Sequence, residues 1–187
     1  LVDLPNNPQD ESAGTRQLTF AREIWIERED FLIDAPKKFF RLKPEGAVRL
    51  RGAYIIQHVG HELDDSGEVS EIYCEFIPNP IGHSAPEGIK FTTAIHWIAC
   101  QEAIDSEVRL YDRLFTEEIP DNAEGGYISA LNPDSLKVIS GAKVEPSLAE
   151  MSPGTHCQFE RLGYFCTDSE DHDPAQPVFN RIVTLRD

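Results

Sequence analysis

The sequence predicts an all-β protein. Its strongly patterned segments alternate with period two. They are short and rich in β-branched and aromatic residues, and clusters of Gly, Pro, Asp and Ser separate them. No long stretch holds a 3.6-residue period. Many short strands between frequent turns are the pattern of barrels and sandwiches.

Taken in order, "EIWIERED" sets Ile24 and Ile26 on one side and Trp25 and Glu27 on the other. "AVRLRGAYII" sets Val48 and Leu50 against Arg49 and Arg51. "EVSEIYCEF", "KFTTAIHWIA", "LKVIS", "GYFC" and "VFNRIVTL" read as further strands. "DDSGE" reads as a turn, with Gly67 free to take a positive φ. "IPNPIGHSAPEG" and "SEDHDPAQP" read as surface loops. "SEVRLYDRLF" fits a short helix or a strand, and "CQEAID" and "EPSLAEM" are the other candidates for helical turns. The acidic, Gly-containing stretch "TEEIPDNAEGG", residues 116–126, is the expected boundary between two β units, 1–115 and 116–187.

Composition narrows the function classes. The chain has 187 residues, 40% of them hydrophobic, enough for a packed core. No apolar run approaches the roughly 20 residues of a membrane helix. The start carries no signal-peptide pattern, and without an initiator Met the sequence is expected to be a fragment. Cys74, Cys100, Cys157 and Cys166 form no C-x-x-C pair, which fits a reduced, cytoplasmic setting. Lys and Arg total 17 against 33 Asp and Glu, a formal charge of −16. Such acidity repels nucleic acid in general, so any contact with it must be local and shaped.

Against that background, "KKFFRLKPEGAVRLR", residues 37–51, holds six basic residues and one acid. As a bland solvated face it would contribute solubility alone. Three features point further. Arg49 and Arg51 lie two apart on a strand, a rise of roughly 6.7 Å, close to the reach between neighbouring nucleotides. Phe39 and Phe40 offer faces on which splayed bases stack. The ribbon is also the one attractive entry on a repelling surface.

Several phrases occurring in order are more specific than any one alone: "REIWIEREDF", "KKFFRLKPEGAVRLRGAYII", "IHWI", "EVRLYDRLF", "LNPDSL", "EPSL", "QFERLGYFC" and "PVFNRIVTLRD". Together they resemble the C-terminal anticodon-binding region of bacterial-type glutaminyl-tRNA synthetases, over essentially the whole chain. The resemblance implies two adjacent β-barrels, similar to a ribosomal 5S RNA-binding protein's barrel, with strands exchanged between them and the N-terminal strands shared. It implies tRNA(Gln) as partner and a catalytic domain elsewhere in the same parent chain, where ATP and glutamine bind. It implies no cofactor, membrane or DNA for this region. The family's anticodon contacts match Gln9, Lys38, Arg41, Arg49, Arg51, Gln158 and Arg161. Gln9 stands where some relatives carry Asn, Lys38 where some carry Gln, and Phe40 where some carry Lys. In a regular strand Gln158 and Arg161 would face opposite sides, so "QFER" must bulge or end for both to reach RNA.

Other constellations weigh less. "HVGH", with His58 and His61, is close to a class I synthetase signature, but that signature needs a strand leading into a helix, and here a turn and another strand follow. His96-Trp97 reads as core packing. His156, Cys157, Cys166 and His172 lack the tight pairs of a zinc site. No serine sits in an elbow motif. The rival readings are the matching region of a eukaryotic-type glutamyl-tRNA synthetase, a free-standing ribosomal RNA-binding barrel, and a small hydrolase using "HVGH".

Overall fold

The computed structural model describes residues 1–78, 86–89, 91 and 93–185. The chain is built of strands, with one four-residue α-helix among the described residues. It divides into two compact units, Leu1–Glu102 and Ala103–Asp187. This division precedes the acidic stretch 116–126.

The first unit contains β1 (Val2–Pro5), β2 (Thr15–Leu18), β3 (Ile24–Ile26), β4 (Ala47–Leu50), β5 (Ile55–Leu63), β6 (Val69–Ile77), β7 (Ala94–Ile95) and β8 (Trp97–Ala99). The β1–β2 and β3–β8 pairs are antiparallel ribbons, and the third sheet has the order β6-β5-β4-β7. Its core joins Val2, Leu4, Leu18, Phe31, Leu42, Val48, Leu50, Ala53, Ile56, Ile95 and Trp97. Each large side chain buried there contributes about 1.5–3 kcal/mol. The alternation expected of β4 is present, with Val48 and Leu50 buried and Ala47 and Arg49 half-buried. Trp97 is core, as expected of "IHWI", and meets Phe20 in a T-shaped contact with ring centroids 5.6 Å apart.

The second unit contains β9 (Ile104–Tyr111), β10 (Leu136–Val144), α1 (Pro146–Ala149), β11 (His156–Phe159), β12 (Gly163–Thr167) and β13 (Val178–Thr184). Its five strands form one sheet, β10-β9-β13-β12-β11, in which only β13–β9 is parallel. Val108, Val144, Phe165 and Phe179 form its core. Phe159 stacks on Phe165 at 4.2 Å. "SEVRLYDRLF" resolves as strand up to Tyr111, because β9 is flanked by β10 and β13 and its amides serve those ladders. "CQEAID" forms no helix; it is a turn leading into β9. "EPSLAEM" does contain the helix α1, opened by Pro146 at its first turn.

Among the described residues no sheet closes on itself, and every sheet draws its strands from one unit. The irregular segments 19–23 and 27–46 interrupt the ladders of the first unit, leaving three short sheets in place of a continuous wall. Most of the expected loop "IPNPIGHSAPEG" lies outside the described residues. "DDSGE" turns as expected, with Gly67 at φ 84°.

Candidate nucleic-acid interface

The basic ribbon is not one strand. Its first half is a run of turns, and only Ala47–Leu50 joins a sheet. Lys38 sits exposed in a turn closed by the Phe39 N–H donating to the Pro36 carbonyl at 2.9 Å. Phe40 is 58% exposed, while Phe39 is half-buried. The Phe40 face is therefore the one open to a stacking base.

Arg41 is held on its inner side. Its Nε lies 3.3 Å from Asp30 Oδ1, and its Nη1 donates to the Glu29 carbonyl at 3.0 Å. Lys43, Pro44, Glu45 and Gly46 then make a turn, in which the Gly46 N–H donates to the Lys43 carbonyl at 2.9 Å. Glu45 holds φ 60° at its third position, a conformation that costs a non-glycine residue.

Arg49 leaves β4 on the face opposite Val48 and Leu50, with its guanidinium 5.1 Å over the Phe91 ring. Arg51 is exposed and lies one residue past the end of β4. Its N–H still donates to the Ile95 carbonyl at 2.9 Å, and its own carbonyl accepts from Trp97 Nε1 at 3.0 Å. A buried tryptophan thus anchors the turn that presents Arg51. Gly52 follows at φ 64°, and a Cβ there would fall 2.0 Å from Leu4 Cδ2, so the turn packs tightly on β1. Gln9 is exposed in the connection from β1 to β2, its N–H donating to Asn7 Oδ1 at 3.0 Å.

In the second unit Gln158 lies exposed on β11, directly across from Tyr164, which is 45% exposed. The strand ends at Phe159, and residues 160–162 form the hairpin tip. Arg161 holds φ 65° there, and the Leu162 N–H donates to the Phe159 carbonyl at 3.0 Å. The segment therefore ends where two-residue alternation would have separated Gln158 from Arg161.

The rejected catalytic motif lies within β5, with no helix after it. A bulge at Val59, between the pairs His58–Cys74 and Gly60–Tyr73, turns His58 and His61 to the same side. His58 Nε2 is 3.1 Å from His61 Nδ1. An open cleft of about 720 Å³ is lined by Pro44, Glu45 and Gln57 to His61. Among the described residues no group of three or more His, Cys, Asp or Glu side chains is placed to hold a metal ion. Burial pushes the Cys74 and Cys157 thiols up to about 11, so both stay neutral at ordinary pH. No helix among the described residues is long and apolar enough to cross a membrane.

Two models described as class I (E and Q) tRNA synthetase anticodon-binding domains match residues 1–77 and 94–168. The chain belongs to this anticodon-binding family. It is 46% identical over 188 residues to a glutamine–tRNA ligase of Pseudomonas syringae pv. tomato, a match covering all of this chain and 33% of that protein. A glutamine–tRNA ligase of Colwellia psychrerythraea is 46% identical over 182 residues, covering 97% of this chain and 33% of its own length. One of Bordetella avium is 44% identical over 184 residues, covering 98% and 31%. The chain thus spans about a third of the length of these relatives.

Proposed function

We propose that this chain is the anticodon-recognition module of a cytoplasmic glutamine–tRNA ligase, with its two β units serving as the family's two RNA-binding barrels. It reads the anticodon loop of tRNA(Gln), so that a catalytic domain in the rest of the parent protein joins glutamine to that tRNA at the expense of ATP. The observation that carries this reading is the presentation of the seven matched side chains. Gln9, Lys38, Arg51 and Gln158 are exposed and Arg41, Arg49 and Arg161 half-buried, all on turns, strand ends or an open sheet face backed by packed β structure. Donors held this way suit a single-stranded loop whose bases have been splayed out. The arginine fork suits a guanine edge or a phosphate, and the glutamine amide, as donor and acceptor, suits a uracil edge.

Gln158→Ala tests the reading most cleanly, since it changes no charge. A bidentate base contact carries about 5- to 150-fold discrimination. In anisotropy titrations of intact tRNA at one salt concentration, Gln158→Ala is expected to weaken the glutamine anticodon more than a substituted one. An unchanged ratio of matched to mismatched affinities would remove Gln158 from the base-reading set.

A further inference from the structure

We infer that Asp30, a buried carboxylate outside the seven matched residues, is a positioning residue that orients Arg41 for reading one anticodon base. The inference rests on the anticodon reading of Arg41 given above.

Asp30 closes the 3₁₀ turn Arg28–Asp30, its N–H donating to the Glu27 carbonyl at 2.9 Å, and it is fully buried. Its Oδ1 lies 3.3 Å from Arg41 Nε, and the preceding residue's carbonyl accepts from Arg41 Nη1 at 3.0 Å. The two segments are also joined through their backbones. Leu42 N–H donates to the Asp30 carbonyl at 3.0 Å, and Leu32 N–H donates to the Leu42 carbonyl at 3.3 Å. Phe31 and Leu42 form a parallel bridge, and both belong to the core. The carboxylate is therefore fixed relative to the Arg41 backbone, and the guanidinium is gripped at two of its three nitrogens.

Among the described residues Nη2 has no protein partner, which leaves its two N–H groups for a ligand. A surface arginine ordinarily samples many rotamers and must be ordered when it binds. Here the ordering is done in advance by a charge-assisted contact to a group that cannot move. A pre-aimed fork discriminates between base edges, whereas a loose one follows the nearest phosphate.

The test uses the full-length parent protein and tRNA(Gln) transcripts carrying each anticodon substitution in turn. Arg41→Ala is expected to lower discrimination at one anticodon position by about 5- to 150-fold. Asp30→Asn removes the charge and keeps the shape. It is expected to lower discrimination at that same position by about fivefold or more, toward the low end of a bidentate contact, and to leave the other positions unchanged. In the Arg41→Ala background Asp30→Asn is expected to change it no further, a non-additivity that a general loss of stability would not produce. Should Asp30→Asn not fold, Arg41→Lys serves: its point charge cannot meet Asp30, the Glu29 carbonyl and a base together, so discrimination falls while overall affinity holds. If Arg41→Ala lowers discrimination and Asp30→Asn (or Arg41→Lys in its place) does not, the positioning role is overturned and the anticodon reading survives. Equal weakening of all tRNAs by Asp30→Asn overturns it too. If Arg41→Ala itself leaves discrimination intact, Arg41 is not a reader and both statements fall.

Discussion

At His58 the hydrogen bonds fix one tautomer. The Glu45 N–H donates to Nδ1 at 3.2 Å, so the neutral ring carries its proton on Nε2 and offers it to His61 Nδ1 at 3.1 Å. Phe31 stacks on the ring at 5.3 Å. A second proton would set an N–H of the ring against the Glu45 N–H, inside the turn where Glu45 already holds φ 60°. Burial, and then the neighbouring His61, lower the His58 pKa below the ordinary 6.5, while the Glu45 carboxylate opposes them. The sign follows from linkage. Between the depressed folded value and 6.5 the unfolded chain binds more protons, so this contribution is complete above 6.5 and is lost as pH falls through the folded value. His58→Asn keeps an acceptor for the Glu45 N–H and cannot titrate. Thermal melts between about pH 8 and 5 should show the wild type losing more stability on acidification than His58→Asn. Parallel profiles would mean that His58 contributes nothing to the pH dependence.

The β11–β12 hairpin shows how an element delivers its residues. Gly163 directly follows the tip, where a Cβ would fall 2.4 Å from the Val183 carbonyl oxygen, a backbone atom that cannot step aside. Gly163→Ala must therefore shift the β12–β13 ladder, at a cost of about 1–3 kcal/mol, read as a lower denaturation midpoint with an unchanged slope. A midpoint within error of the wild type would show that the ladder yields freely. Much of this architecture is legible in the sequence. Alternation exposes β4 and β12, β-branched and aromatic content exposes β6 and β13, and the turn residues mark where they stop. The bulge at Val59 is not legible, because an inserted residue breaks the period on which the reading depends. The Asp30–Arg41 pair is equally hidden, since "REDF" and "FFRL" are eleven positions apart and polar partners across a fold leave no periodic trace. The cationic and amide candidates are legible only through the family phrases, and the structure adds the groups that touch them: Asp30 for Arg41, Phe91 for Arg49 and Trp97 for the Arg51 turn.

For the whole molecule, net charge and local cations act in opposite directions on an approaching nucleic acid. The formal charge of −16 repels any polyanion approaching at random, and long-range repulsion is weakened by salt. The local cations act the opposite way. Each phosphate neutralised on a single strand adds about −0.7 to the slope of log affinity against log salt. Lys38, Arg41, Lys43, Arg49, Arg51 and Arg161 together set a ceiling of about −4.2 on that slope. Arg41 and Arg49 already engage Asp30 and Phe91, and any arginine that reads a base adds less, so the measured slope should be shallower. Lys43 is exposed on the turn before β4 and lies outside the seven matched residues, which makes it the candidate for holding phosphate alone. Lys43→Ala is accordingly expected to weaken matched and mismatched tRNAs alike and to flatten the slope by about 0.7. Anisotropy titrations of tRNA(Gln) and a DNA duplex of similar length, over a range of salt, measure both quantities. A slope steeper than about −4.2 would require phosphate contacts beyond this set. Equal affinity for the duplex would mean that net charge, and no shaped site, governs binding.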